Sequence, residues 1–357
     1  MTVVHEDPGL RFWLEAVVSS GGLTEDAGDA ALVVLPDALQ AQLELPETLT
    51  VSADPEVARE DGAVLLAPGH PALDGMAARV LHTGDAGQAW LAWSQRTAPS
   101  AAKLLAKARE TFHVDHGRLD AAGPVALCYA PFLRVGALVT YTASLDLRFQ
   151  EREEVVVDAT TGLAPEVGDR RAMDAQPLLD RPDTRHQPLA PDLPIALGGA
   201  DALLRGRAAE RQRALAGQAA GTRCDELARL DNYYEGVLAT IASRRETADA
   251  DRRRLLDDQA HATRLEHQRR RQEVEEQYRP SHELRPVRLH LLQVPAARLA
   301  LRVQRGARSF PLACTWLLPA AGFAPLRCPG CGAAEPLVAG RERLGCVACE
   351  APRPALA

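Results

Sequence analysis

At 357 residues the chain is long enough for roughly two or three folded units, and with 46% apolar but only 4% aromatic residues its cores must be built from Leu, Val and Ala. The net charge of −7 is unevenly spread: residues 1–70 hold thirteen acids against Arg11 and Arg59, a balance of −11, whereas residues 285–357 hold ten arginines against Glu335, Glu342 and Glu350, a balance of +7. No apolar run reaches the roughly 18 residues of a membrane span, and "MTVVHEDPGLRFW" lacks the basic-then-apolar order of a secretory signal, so a cytoplasmic protein without membrane contact is expected.

The first region reads as small and α/β. "RFWLEAVVSSGG" has apolar residues at helical spacing and stops at Gly21–Gly22, while "ALVVLP", "LTVSA" and "GAVLLAPG" are short strands. "GHPALDGMAARVLHTGDAG" predicts a helix opened by Pro71 and stopped by Gly84, with Leu73, Met76, Ala77 and Val80 on its apolar face and His70 as a structural or capping residue. From residue 123 the period changes to two. "GALVTYTASLDLRF" and "EVVVDATTG" predict an antiparallel hairpin joined through the polar "QERE", with a phase slip near Ala143–Ser144. Asp158 and Gly162 mark the turn that follows.

A Pro- and Asp-rich stretch from 176 to 196 is the best linker candidate. Beyond it there is no proline between Pro194 and Pro280, and residues 200–279 are rich in good helix formers. One unbroken helix there would be about 120 Å long. Gly217 and Gly221, with Thr222 and Asp225 resembling a capping box, predict a break. After it Leu227, Leu230, Tyr234, Val237, Leu238 and Ile241 form an apolar stripe. A helical hairpin or antiparallel coiled coil is expected, packed near 225–241 and solvated at its far end. Strands return with "VRLHLLQVP", "RLALRVQRG" and "PLACTWLLP".

The most specific signal closes the chain. "CPGCGAAEPLVAGRERLGCVACE" contains two Cys-x-x-Cys pairs, Cys328/Cys331 and Cys346/Cys349, with fourteen residues between them. Four thiolates on two tight knuckles suit Zn²⁺, and the intervening residues suffice for a hairpin with "PLVAG" and "RERLG" as its arms. Four protein ligands fill the coordination sphere, which makes the site structural rather than catalytic. A redox pair would need a thioredoxin-like βαβ setting, which is absent; an iron–sulfur site remains an alternative. Cys128, Cys224 and Cys314 are scattered, as metal use in a reducing compartment would leave them.

Catalytic motifs are missing. Lys103 and Lys107 are the only lysines and neither follows a P-loop glycine run, so P-loop nucleotide hydrolysis is excluded on this chain. His113 and His116, with Asp115 between them, are either surface residues or a minor metal site, and no Gly-x-Ser-x-Gly elbow occurs. The helical segment from 244 to 279 mixes ten arginines with nine acids, the pattern of a solvated face. The basic end is a better candidate for an anionic partner: Arg302, Arg305, Arg308, Arg327, Arg341 and Arg343 are the candidate nucleic-acid-binding residues, unless this end simply attracts the acidic one.

The segments "PGHPALDGMAARVLHTGDAG", "ALVTYTASLDLRF", "EVVVDATTG", "CDELARL", "SRRE" and "ELRPVRLHLLQV" together resemble the C-terminal accessory region of RapA-type Swi/Snf helicase-like ATPases, the RNA-polymerase-associated group in bacteria. The likeness covers roughly residues 60–295 and is anchored by Gly69-His70-Pro71. The resemblance implies an accessory role on DNA or transcription complexes, with a separate Swi/Snf-like ATPase or another protein as partner and DNA or RNA as a further one. It transfers no catalytic residue, since the two-lobed motor is absent, and the zinc ribbon is no part of the pattern.

The expected fold is therefore α+β. Its parts are an acidic α/β region (1–122), an antiparallel strand region (123–175), a Pro-rich linker (176–199), a helical hairpin or coiled coil (200–280), strands completing the body (281–326), and the ribbon and tail (327–357). The expected function is that of a non-enzymatic zinc-stabilised accessory module. The alternative is a protein-interaction subunit of a bacterial assembly with no nucleic-acid contact.

Overall fold

The computed structural model describes residues 7–60, 62–93, 99–144, 147–182, 186–334 and 336–350. The tail after Glu350, with Arg353, lies outside the described residues. The protein is mixed α+β, and the chain divides at Asp85 into two compact units. No helix among the described residues is long and apolar enough to cross a membrane.

In the first unit the elements run α1 (Pro8–Ser19), β1 (Leu23–Asp26), β2 (Ala31–Val34), α2 (Asp37–Leu43), β3 (Thr48–Ser52), α3 (Pro55–Glu60), β4 (Val64–Leu65) and α4 (Pro71–Thr83). The strands form one sheet in the order β1-β2-β3-β4, with only the β3–β4 pair parallel. Trp13 is fully buried at its centre and donates its indole N–H to the Ala72 carbonyl at 3.1 Å, which ties α1 to the start of α4. His70 caps α4, its Nδ1 accepting from the Ala72 N–H at 3.2 Å. Ala72 and Met76 make the buried face of that helix; Val80, placed there by the sequence pattern, is exposed because the last turn runs past the sheet's core.

The second unit contains β5 (Asp85–Leu91), α5 (Ala101–Thr111), β6 (Val114–Asp115), β7 (Arg118–Ser144), β8 (Leu147–Asp158), α6 (Val167–Asp174), β9 (Leu178–Leu179), β10 (Gln187–Pro188), α7 (Leu193–Glu246), α8 (Ala250–Gln277), β11 (Ser281–Arg305), β12 (Arg308–Leu317), β13 (Gly322–Phe323), β14 (Leu337–Ala339), β15 (Leu344–Cys346) and α9 (Val347–Glu350). Two very long strands, β7 and β11, pair antiparallel along nearly their whole length and form the spine of an eight-stranded sheet. The two segments "VRLHLLQVP" and "RLALRVQRG" are thus one strand: Pro295 sits within the ladder opposite Tyr129, and the register slips only near Pro286 and Leu299. The β7–β8 hairpin forms as expected but turns after Ser144, so "QERE" lies inside β8 rather than between the strands. The slip near Ala143–Ser144 is real: the β7–β8 register shifts between Thr142 and Ser144.

The helical segment also departs from expectation. α7 starts at Leu193, inside the stretch read as linker, and runs without a break for 54 residues through Gly217 and Gly221. The chain stops being helical only at Thr247, and Asp249 caps α8 by accepting from the Arg252 N–H at 2.9 Å. Two glycines do not break this helix because its first half is already fixed on the sheet. Ala196, Ala200 and Leu204 pack on Leu133, Val135, Val155 and Val157 of β7 and β8, and small side chains at four-residue spacing let the helix lie close. Gly199 comes closest. A Cβ there would fall 1.9 Å from the Gly162 carbonyl oxygen, so the Asp158–Gly162 turn and α7 can meet only as glycine on glycine. Beyond Leu215 the only fully buried residue of α7 is Ile241, and α8 buries only Leu256. The predicted stripe from Leu227 to Leu238 is half-buried.

Candidate metal centre

Cys328 and Cys331 belong to the loop before β14, Cys346 ends β15 and Cys349 lies in α9. β14 and β15 pair antiparallel, Leu337 opposite Cys346, and so realise the predicted arms "PLVAG" and "RERLG". The first knuckle closes through Gly332, whose N–H donates to the Cys328 carbonyl at 2.9 Å and whose φ is +75°. Gly330 is closely approached as well, since a Cβ there would stand 3.2 Å from the Cys349 sulfur.

The four sulfurs all lie within 4.8 Å of one another, with Cys328–Cys349 at 3.9 Å and Cys331–Cys346 at 3.5 Å. A tetrahedral ion with sulfur ligands at 2.3 Å would hold them about 3.8 Å apart. These separations are much longer than the ~2.0 Å of a disulfide. The donor set therefore fits a single enclosed metal ion, and it is the one such cluster of cysteine, histidine or carboxylate groups among the described residues.

The electrostatics of the thiols agree with that use. Burial pushes the Cys328 thiol up, but N–H groups of Cys331, Gly330 and Cys346 outweigh it and bring the thiol down to about 6. Two of these contacts are visible as Gly330 N to Cys328 Sγ at 3.3 Å and Cys346 N to Cys328 Sγ at 3.1 Å. Cys349 goes the other way, pushed up to about 12 by its hydrogen bond with Cys331 and by burial. Cys328 ionises easily while Cys346 and Cys349 are held up, so ionising the set together calls for a cation at the centre.

The ribbon is not a free tail. Leu337, Ala339, Leu344, Cys328 and Cys346 belong to one apolar core with Leu104 and Ala108 of α5, Leu299, Leu301 and Val303 of β11, and Cys314 of β12. β14 also pairs parallel with β6, Leu337 opposite Val114. The sequence reading had not recognised α5, although Ser100 caps it and Leu104, Leu105 and Ala108 mark its inner face. β6 places "HVDH" beside the ribbon. His113 Nε2 meets Asp115 Oδ1 at 2.8 Å, and His116 has a left-handed φ of 59°, but these residues do not gather into a metal cluster.

The six candidate arginines fall into two groups. Arg302 and Arg308 are exposed on β11 and β12, and Arg341 is exposed at the turn between β14 and β15. The others make contacts to the ribbon backbone or beside the Asp158 turn, although Arg343 is itself exposed. Arg305 donates to the Ala339 carbonyl and Arg343 to the Cys349 carbonyl, binding the ribbon backbone. Arg327 is half-buried, with its guanidinium close to both Gly162 and Gly332, between the Asp158 turn and the first knuckle. Charge counting cannot separate these groups, because it does not register which arginine faces a carbonyl. Comparison of the chain with protein-family models and with curated proteins finds no match.

Proposed function

We propose that the chain is a non-enzymatic accessory module, stabilised by zinc at Cys328, Cys331, Cys346 and Cys349, that acts on DNA or a transcription complex together with a separate Swi/Snf-like ATPase. The observation that carries this reading is the placement of the cysteine cluster. All four ligands are protein sulfurs, and the ribbon shares its core with the β11–β12 sheet, which makes the metal a structural clamp on a basic surface. Arg302, Arg308 and Arg341 are exposed cations of this end of the chain, Arg302 and Arg308 on opposite faces of the β11–β12 ladder, and would meet phosphates as point contacts. In the same reading α7 and α8 are an antiparallel coiled-coil hairpin that reaches outward to the partner.

Fluorescence anisotropy with labelled duplex DNA, single-stranded DNA and RNA tests the proposal. Binding should weaken steeply between about 50 and 200 mM salt, and the triple variant R302E/R308E/R341E should abolish it. Absence of binding to every one of these at low salt would sink the nucleic-acid half. A second reading, a protein-interaction subunit, draws on the helix pair, whose arginines are largely neutralised by local acids such as Glu266 and Glu273. Partners recovered by pull-down after nuclease treatment, with no nucleic-acid binding, would favour it.

A further inference from the structure

A cavity of about 360 Å³ opens between the Asp158–Gly162 turn and the β11–β12 sheet, lined by Asp158, Thr160, Thr161, Arg298, Thr315 and the apolar wall of Leu189 and Leu326 among others. That size is near the lower end for small-molecule sites. The polar groups are not those of a packing defect. Asp158 is only 4% exposed, and its Oδ1 accepts from Thr160 N at 2.7 Å, Thr160 Oγ1 at 2.6 Å and Thr161 N at 3.1 Å. Its Oδ2 accepts no hydrogen bond among the described residues, which leaves one carboxylate oxygen for a ligand. Arg298 stands directly across the β11–β12 ladder from Thr315, so both side chains rise from the same face. Arg298 is exposed and pairs with no carboxylate among the described residues.

We propose that this cleft binds a small phosphate monoester bearing free hydroxyl groups, a sugar phosphate or a nucleoside monophosphate. The Arg298 fork and the Thr315 hydroxyl take the phosphate, and Asp158 Oδ2 accepts from a hydroxyl of the ligand. Arg327, on the turn side of the same carboxylate, offsets the charge of Asp158 and leaves the Arg298 guanidinium free to attract a phosphate rather than a neutral sugar. Leu189 and Leu326 provide the apolar side against which a sugar or base would lie. This site is separate from the nucleic-acid reading and stands or falls without it.

Calorimetry on the full chain with ribose 5-phosphate, adenosine 5′-monophosphate, inorganic phosphate and ribose provides the test. One or both phosphate esters should bind, ribose and inorganic phosphate at least about tenfold more weakly. Arg298→Gln should weaken the ester about tenfold or more with unchanged circular dichroism, and Thr315→Val should weaken it as well without touching the turn. Asp158→Asn retains Oδ1 for the three turn bonds and should reduce the preference for the ester over inorganic phosphate. The proposal is overturned if no ester binds at millimolar concentration, if Arg298→Gln leaves affinity unchanged, or if inorganic phosphate binds as well as the esters.

Discussion

The ribbon over residues 328–350 and the outer reach of α7 and α8 both have too little apolar surface to fold alone, yet each is held differently. The ribbon joins the body's core through Leu337, Ala339 and Leu344 and gathers four sulfurs around one point. The outer helices bury only Ile241 and Leu256 and are crossed by polar contacts instead: Arg245 to Asp257, His267 and Arg271 to Asp231, Tyr278 to Glu226. A region that shares its core transmits damage; a region held by polar contacts partly open to solvent keeps damage local. The comparison therefore makes opposite predictions for substitutions at the two ends.

The largest effect is expected at the metal. Cys328→Ser, or removal of metal with a chelator, should unfold the ribbon and also loosen α5 and the β11–β12 layer, lowering the melting temperature of the second unit as a whole. Structural zinc in isolated peptides is worth on the order of 10 kcal/mol, part of which the shared core would retain here. Metal analysis should return about one ion per wild-type chain. Cys224→Ser, on the exposed face of α7, serves as the control and should change nothing. A chelator that frees the metal and leaves the β11–β12 layer intact would show that the ribbon is merely an appendage.

How far the sequence disclosed this architecture depended on whether the signal was local. The Cys-x-x-Cys knuckles, the Pro71 helix start, the Asp158–Gly162 turn and the alternation of β7 and β8 are written in adjacent residues, and the structure contains them all. Helix α7 was misread at Gly217 and Gly221 because glycine's local cost was weighed without the tertiary packing of Ala196–Leu204 that overrides it. Joining two predicted strands into β11 required knowing that β7 runs alongside it from Arg118 to Thr142, which is information at long range. The same holds for the merger of the ribbon with α5, and for the cleft in which Asp158 and Arg298 meet from opposite sides of the chain.

Next in size comes the joint at which α7 meets the sheet. Gly199→Ala would press a methyl group into the Gly162 carbonyl, and Gly162 itself has φ +68°. The helix or the turn must move, at a cost of about 3 kcal/mol, and the loss should appear as a fall in melting temperature of the whole second unit. Gly217→Ala, eighteen residues further along, has nothing within 4 Å of the new Cβ and should stabilise by about 1 kcal/mol if the helix is continuous there. A neutral or destabilising result at Gly217 would restore the break that the sequence pattern suggested.

The smallest effect belongs to the outer helix pair. The hydrogen bond from Arg271, with that from His267, holds the Asp231 carboxyl below its ordinary value of 3.8. Because its folded value is depressed, Asp231 contributes stability in full above the ordinary value, and that contribution is lost as pH falls through the depressed one. Arg271 also faces Glu275 at 3.9 Å, so this guanidinium is shared between two carboxylates. Asp231→Asn should therefore speed amide exchange over residues 225–241 of α7 at neutral pH, flatten the acid limb of that exchange, and leave β7 and β11 untouched. Added salt should narrow the gap between variant and wild type, since the pair is partly open to solvent. Faster exchange in the sheet as well would mean that the two ends of α7 are one cooperative element, and the contrast with the ribbon would fail.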